Sequence, residues 1–408
     1  MRGSRLSTGF KATLTLRIVS LAAMFVTGTF SSAQERVLFS FDHRNGASPF
    51  SGLTSDSYGN FYGTTYSGGN YGDGTVFKVT PEATGSVLHS FNAPDADGRS
   101  PIGGVTFDAS GNLFGTTSEG GLYRLGSVFE LTPATSGWSE KLLHTFINNG
   151  EDGTTPVSGL IFDAAGHVFG TTLGGGTLNI GTVFELTQGA NGTWTEKVIH
   201  SFNNTDGHSP FAGLILDPSG NLYGTTFYGG AYGYGVVFEL TRNGGEEWSE
   251  RVLHSFSNTD GANPAASLIF DAAGNLYGVT TYGGAYGRGT AFELVRSASG
   301  NWRGKILYNF NSNGTDGQYP GRALVFDAIG NLYGTTQYGG AFGQGTAFKL
   351  MPGPHDRWTE HILHDFGSAA GDGEQPVSTL VFGAHGHLYG TTFYGGSHKS
   401  GTVFEITP

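Results

Sequence analysis

The residues able to do chemistry recur rather than cluster. Asp-Gly-x-x-Pro segments place carboxylates at Asp97, Asp152, Asp206, Asp260, Asp316 and Asp372, with Asn45 at the first such position. A ring of acids of this kind suits calcium or a cationic ligand. Calcium, however, takes six to eight oxygens converging on one point, and single acids on separate repeats do not supply them. The more economical reading is a turn, with Asp-Gly reversing the chain and Pro fixing the next entry. Glycine-rich loops of the form Tyr-Gly-Gly-x-Tyr-Gly carry a first aromatic at Tyr228, Tyr282, Tyr338 and Tyr394, and a second aromatic recurs at Tyr71, Tyr123, Tyr232, Tyr286 and Phe342. Exposed tyrosines on such loops give rigid contact area at low entropic cost and suit stacking on sugar rings. The competing reading packs each ring over the glycines of its neighbour. Arg322 stands where the other repeats have Ser51, Gly103, Ser158, Ala212, Ala266 and Ser378. At the rim of a channel it would be the lone cation, able to grip an anionic group.

Other candidates read as structure. Histidines 89, 144, 200, 254 and 364 share their repeat position with Phe39 and Tyr308, an interchange expected of flat packing residues rather than metal ligands. His385, His387 and His398 are too loosely grouped for a zinc site. Glu130, Glu185, Glu239, Glu293 and Glu405 face Lys141, Lys197, Arg251 and Lys305 in pattern, as cross-strand ion pairs on a sheet surface would. The segment Gly229-Gly-Ala-Tyr-Gly-Tyr-Gly235 precedes a strand and lacks the Lys-Ser/Thr of a nucleotide loop. No catalytic residue, metal ligand set or cofactor motif rises above the repeat.

The elements that must position these residues follow from the spacing. Asp56, Asp108, Asp163, Asp217, Asp271 and Asp327 lie 52, 55, 54, 54 and 56 residues apart, and Gly383 takes the seventh place. Periods of this length mean a solenoid or a propeller. Each unit reads as four strands: a short apolar strand a (Leu268-Ile269-Phe270), a tight Asp-x-x-Gly-Asn turn, strand b with a central glycine, strand c (Gly-Thr-Val-Phe-Glu-Leu), and strand d (Trp194–Phe202). Strand a is expected to be buried on both faces. The central glycine of strand b (Gly63, Gly224, Gly278) marks a place where neighbouring blades crowd near the axis. Residues 36–41 form a strand d, and residues 401–406 form a strand c. That offset predicts an all-β, seven-bladed β-propeller, closed by pairing the N-terminal strand with the last three.

The units Asp271–Thr280 and Gly330–Gly340 resemble the gloeo/verruco (GloVer) tandem repeat of exported bacterial proteins. The resemblance covers nearly all of residues 36–408. It implies a secreted repeat protein, often attached to the cell surface through a separate C-terminal anchor, which Thr407-Pro408 does not supply. More distantly, the a–b hairpin looks like NHL and gluconolactonase-type propeller repeats. The resemblance carries over no catalytic residue.

Composition bounds the rest. Arg2, Arg5, Lys11 and Arg17, the apolar run 18–30 and Ser31-Ser32-Ala33 read as a signal peptide over residues 1–33, leaving a propeller over 34–408. The compartment expected is therefore extracellular, surface or periplasmic, with no membrane span in the mature chain. Glycine supplies 70 of 408 residues, against an average of about 7%. Net charge is −12 without a basic cluster outside the leader, which argues against a nucleic-acid surface. With no cysteine, thiol catalysis and Cys-based zinc sites are excluded. The reading is a monomeric, non-catalytic binding or scaffold propeller for a glycan or an exported partner protein. The alternatives are a carbohydrate-active lyase or hydrolase at the tyrosine-rich loops, and a structural surface or adhesion component.

Overall fold

The structure, a computed structural model, describes residues 34–92, 97–245 and 247–408. The leader read over 1–33 lies outside the described residues. Seven antiparallel blades, each with strands a to d in order, make up the described chain. Blade five is typical, with Ile269–Phe270, Leu276–Thr280, Thr290–Arg296 and Trp302–Asn309. Blade seven is assembled from both ends of the propeller: Val381–Phe382, Leu388–Gly395 and Thr402–Thr407, with Gln34–Ser40 as its strand d. Arg36 pairs with Glu405 and Ser40 with Thr402 in that register, so the predicted closure is present. No helix among the described residues is long and apolar enough to cross a membrane.

The core lies between blades, not within them. Phe169, Val183 and Phe202 of blade three meet Leu214, Leu222 and Phe238 of blade four. Leu38, Phe41 and Val403 of blade seven meet Leu53, Phe61 and Phe77 of blade one, which buries the closing junction. Hydroxyl staples reinforce these contacts. Thr64, Thr116, Thr171, Thr225, Thr335 and Thr391 each donate to a backbone carbonyl of the next blade: Gly103, Ser158, Ala212, Ala266, Ser378 and Ser51 respectively. Blade five has Val279 at this position, and the residue it faces in the repeat is Arg322.

Two expectations about packing need correction. Strand a is half-buried, with only Ile269–Phe270 hydrogen-bonded and Leu268 closed off below it. Facing the open channel, it is not covered on its second side. The strand b glycine makes room inside its own blade. A Cβ at Gly224 would lie 2.6 Å from Phe238 Cζ and 2.9 Å from Leu214 Cδ2, because the strand c phenylalanine crosses over it.

Candidate functional site

The d–a and b–c loops share one face, as their backbone pairing shows. His208 pairs with Tyr228 and Ala262 with Tyr282 as bridges, and Gln318 with Tyr338 and Glu374 with Tyr394 within short ladders. The loop prolines do more than start strand a. Pro264 packs on Gly235 of the preceding blade, whose φ of +94° and absent Cβ (2.7 Å from Pro264 Cδ) leave no room for another residue. The residue after the proline reaches the axis at Ile102, Val157, Phe211 and Ala265. Strands a and these residues line a channel mouth of about 260 Å³.

Arg322 enters this mouth and is the one charged side chain among the described residues that line it. Its guanidinium carbon lies 4.4 Å from the ring centroid of Phe50 and 5.2 Å from that of Phe211, so it reaches across the channel between blades one and four. Nε–H donates to the Val377 carbonyl at 3.0 Å. Nη2 is buried with no hydrogen-bond partner. Burial pulls the guanidinium down to about 10, which still leaves it charged at neutral pH. A cation flanked by aromatic faces, with one buried donor left without a partner, suits an anion that enters between the rings. Phe393 meets Phe50 at 5.7 Å and Phe227 meets Phe211 at 6.3 Å, extending the aromatic wall onto the b–c loops.

The four leading tyrosines are partly exposed, Tyr228, Tyr282, Tyr338 and Tyr394 by 47, 44, 38 and 44%, and each also touches a neighbouring ring. Tyr232 and Tyr286, further along the same loops, are more exposed still. Tyr319 bridges two of them, with ring centroids 5.2 Å from Tyr282 and 6.1 Å from Tyr338. Arg288 bonds the Tyr319 hydroxyl and lies over its ring. At the first loop position blades four to seven therefore carry tyrosine, while blades one to three carry Ser67, Glu119 and Gly174; Tyr71 and Tyr123 add exposed second aromatics on blades one and two. Sequence reasoning singled out the tyrosines and Arg322 but missed Phe50, Phe211, Phe227, Phe393 and Tyr319. The signal for the first two was present: after the loop proline, Phe50 and Phe211 replace Ile102, Val157, Ala265, Gly321 and Val377.

The strand d histidines pack on phenylalanines, as read, and also take part in a polar contact. In each c–d pair the register slips by one residue, as between Val183 and Phe184 opposite His200 and Val198. Such a bulge re-aims side chains, here toward the blade junction. There each histidine meets the aspartate of its own d–a loop: His89 and Asp97 at 3.1 Å, His144 and Asp152 at 3.0 Å, His254 and Asp260 at 2.9 Å. A glutamate from strand d of the next blade completes the junction. Burial, then the nearby aspartate, pushes Glu140 and Glu196 up to about 7, Glu250 to about 8 and Glu360 to about 9. The aspartates are thus turn residues, as read, and also the centres of ionisable groups that sequence spacing did not bring together.

The strand c glutamates stand opposite the strand d cations as read, and Lys305 reaches Glu293 at 3.6 Å, but these carboxylates are not simply surface groups. Glu239 and Glu293 are buried and accept from Tyr223 and Tyr277 at 2.6 and 2.7 Å, while Lys141 turns to the Gly192 carbonyl. His387 binds Glu405 at 2.6 Å, with the His385 ring 6.4 Å from its own.

Fold and mouth together define a closed β-propeller repeat protein with a cationic, aromatic opening on one face. The chain belongs to the Gloeobacter/Verrucomicrobia repeat family, whose model matches residues 24–217 and again 214–408. No curated protein matches the sequence. Among solved structures, a luciferin-regenerating enzyme is similar at 15% identity and a TM-score of 0.46, over 76% of this chain and 91% of that one. A protein of unknown function from Dyadobacter fermentans is similar at 10% identity and a TM-score of 0.45, over 92% and 98% respectively.

Proposed function

We propose that this chain is an exported binding propeller that takes an acidic glycan on its mouth face. The observation that carries the reading is Arg322: a buried guanidinium with an unpartnered Nη2, between two phenylalanine rings, next to an exposed aromatic tract on four blades. Sugar rings stack on Tyr228, Tyr282, Tyr338 and Tyr394, with Tyr232 and Tyr286 at the outer edge, and a uronate or sulfate group reaches Arg322. The perturbed carboxylates lie at the blade junctions and not on the mouth, which favours binding over hydrolysis by a carboxylate pair. Export is supported by the basic start and the apolar run ending in Ser31-Ser32-Ala33.

A glycan array spanning neutral, uronate and sulfated oligosaccharides tests this directly. The expected result is selective capture of anionic glycans. Arg322→Gln should erase the preference for charge, and Tyr282→Ala with Tyr338→Ala should abolish capture at an unchanged melting temperature. Capture of neutral and acidic glycans alike, unaltered in Arg322→Gln, would overturn the assignment of Arg322. Absence of any capture would overturn the glycan reading.

A further inference from the structure

The blade junctions hold a second kind of site. At two of them, three ligating atoms from three separate places converge: His144, Asp152 and Glu196 at one, His364, Asp372 and Glu35 at the other, with the atoms of each set within 4.8 Å of one another. The histidine comes from strand d of one blade, the aspartate from the following d–a loop, and the glutamate from strand d of the next blade. Both sets are held in place before any ligand arrives. Asp152 is 7% and Asp372 6% exposed. Asp152 accepts from the Ile147 and Gly153 amides at 3.0 and 2.6 Å, and Asp372 from the Ser368 amide and hydroxyl at 2.9 and 2.8 Å. Each imidazole is set edge to face against a phenylalanine, His144 on Phe146 and His364 on Phe366, both at 4.7 Å.

What these contacts leave over points to a ligand. Oε1 of Glu196 and Oε1 of Glu35 are buried and have no hydrogen-bond partner. Each set offers two carboxylate oxygens and one imidazole nitrogen at a single point. Borderline divalent ions take nitrogen and oxygen donors at about 2.0–2.2 Å, so ligand atoms round one ion lie roughly 3–4.4 Å apart, a small contraction from the spacing seen. One imidazole with two carboxylates favours zinc or manganese over calcium, which prefers oxygen alone. The Glu35 set borders a surface cleft lined also by Val37, Phe39 and Ser397, which gives an ion a path in.

We propose that these two junctions each bind one divalent transition-metal ion through His144, Asp152 and Glu196 and through His364, Asp372 and Glu35. Three protein ligands leave the remaining positions to water, so the ions act as clamps between blades two and three and between blades six and seven. The ring carries its own blanks. Gly304 removes the glutamate beside His254 and Asp260, and Phe39, Asn45 and Gly85 replace all three ligands at the junction of blades seven and one.

The test is zinc titration of the chelator-treated full chain by calorimetry, with metal content counted by mass spectrometry after dialysis. Two ions per chain are expected, one in either Glu196→Gln or Glu35→Gln, and none in the double variant. Glutamine keeps the shape of a protonated glutamate, so these variants should fold, and circular dichroism checks that they do. Cobalt substitution should give visible absorption from imidazole-ligated metal in the wild type that the double variant lacks. A chain that takes up no zinc at millimolar concentration, with an unmoved melting temperature, would show that a proton alone sits between the carboxylates and would overturn the proposal. Uptake that survives the double variant would overturn it equally.

Discussion

On the face made by the a–b turns, one arrangement is repeated blade after blade. Asp217 accepts from the Ser219 and Asn221 amides at 2.8 and 2.9 Å and from the Asn221 side chain at 2.9 Å. Asp271 does the same with Ala273 and Asn275, each at 2.8 Å. On the mouth face, the corresponding blades carry Ala212, Ala266 and then Arg322, with Phe211, Ala265 and Gly321 just before them. The turn face is uniform because each aspartate satisfies amides that would otherwise go unpaired. On the mouth face the fold uses the backbone carbonyls of these positions, and the small side chains of Ala212 and Ala266 are buried, so a long side chain such as that of Arg322 is a departure with no counterpart in the other blades. Repetition therefore marks what the architecture needs, and departures from it mark what a ligand can use.

That contrast can be broken by experiment. Deleting residues 34–42 removes strand d of blade seven and the packing of Leu38 and Phe41 at the closing junction. It should abolish cooperative melting, and an unchanged melting curve would separate ring closure from stability. Next in size is a paired comparison. Asp271→Ala should cost about 1–3 kcal/mol of stability and leave ligand capture intact. Arg322→Met should leave stability level or slightly raised, since an unpaired buried charge is lost, while capture of anionic ligands fails. Denaturant titration with binding on both variants checks this, and the reverse pattern would invert the roles assigned to the two faces.

The junctions predict a pH dependence. Burial and the nearby aspartates raise Glu250 to about 8 and Glu360 to about 9 in the folded state. A carboxyl raised by folding contributes stability that is full below its unfolded value and lost as pH rises through its folded value. Stability should thus fall between about pH 5 and 9, by about 1 kcal/mol for each such glutamate after solvent screening. Glu250→Gln with Glu360→Gln should flatten that slope in chemical denaturation run across pH. Asp260 is a control in the opposite sense: burial works to raise it, yet bonds from His254 and Ser257 outweigh burial and hold it below the usual range. The smallest effect is the most local. Val279→Thr restores the hydroxyl staple missing beside Arg322 and should add about 0.5–1.5 kcal/mol. A loss instead would mean that the Arg322 carbonyl does not accept as its counterparts do.

Much of this was legible in the chain. Spacing of the aspartates, the apolar runs and the out-of-phase ends determine seven blades and their closure, because a repeat that cannot bury its own face must stack on a copy of itself. The uneven tyrosines and the single Arg322 were visible as breaks in a pattern. Tertiary structure alone decided the distances between residues remote in sequence. The ring carries Arg322 between Phe50 and Phe211, both more than a hundred residues earlier in the chain. It also brings Glu35 to His364 and Asp372 at the far end of the chain. A one-residue bulge, invisible in the periodicity, lets histidines that pack on phenylalanines, as read, also meet the aspartates at the blade junctions. Local periodicity is written residue by residue, whereas these meetings depend on the angle between blades, which is set by packing between all of them at once.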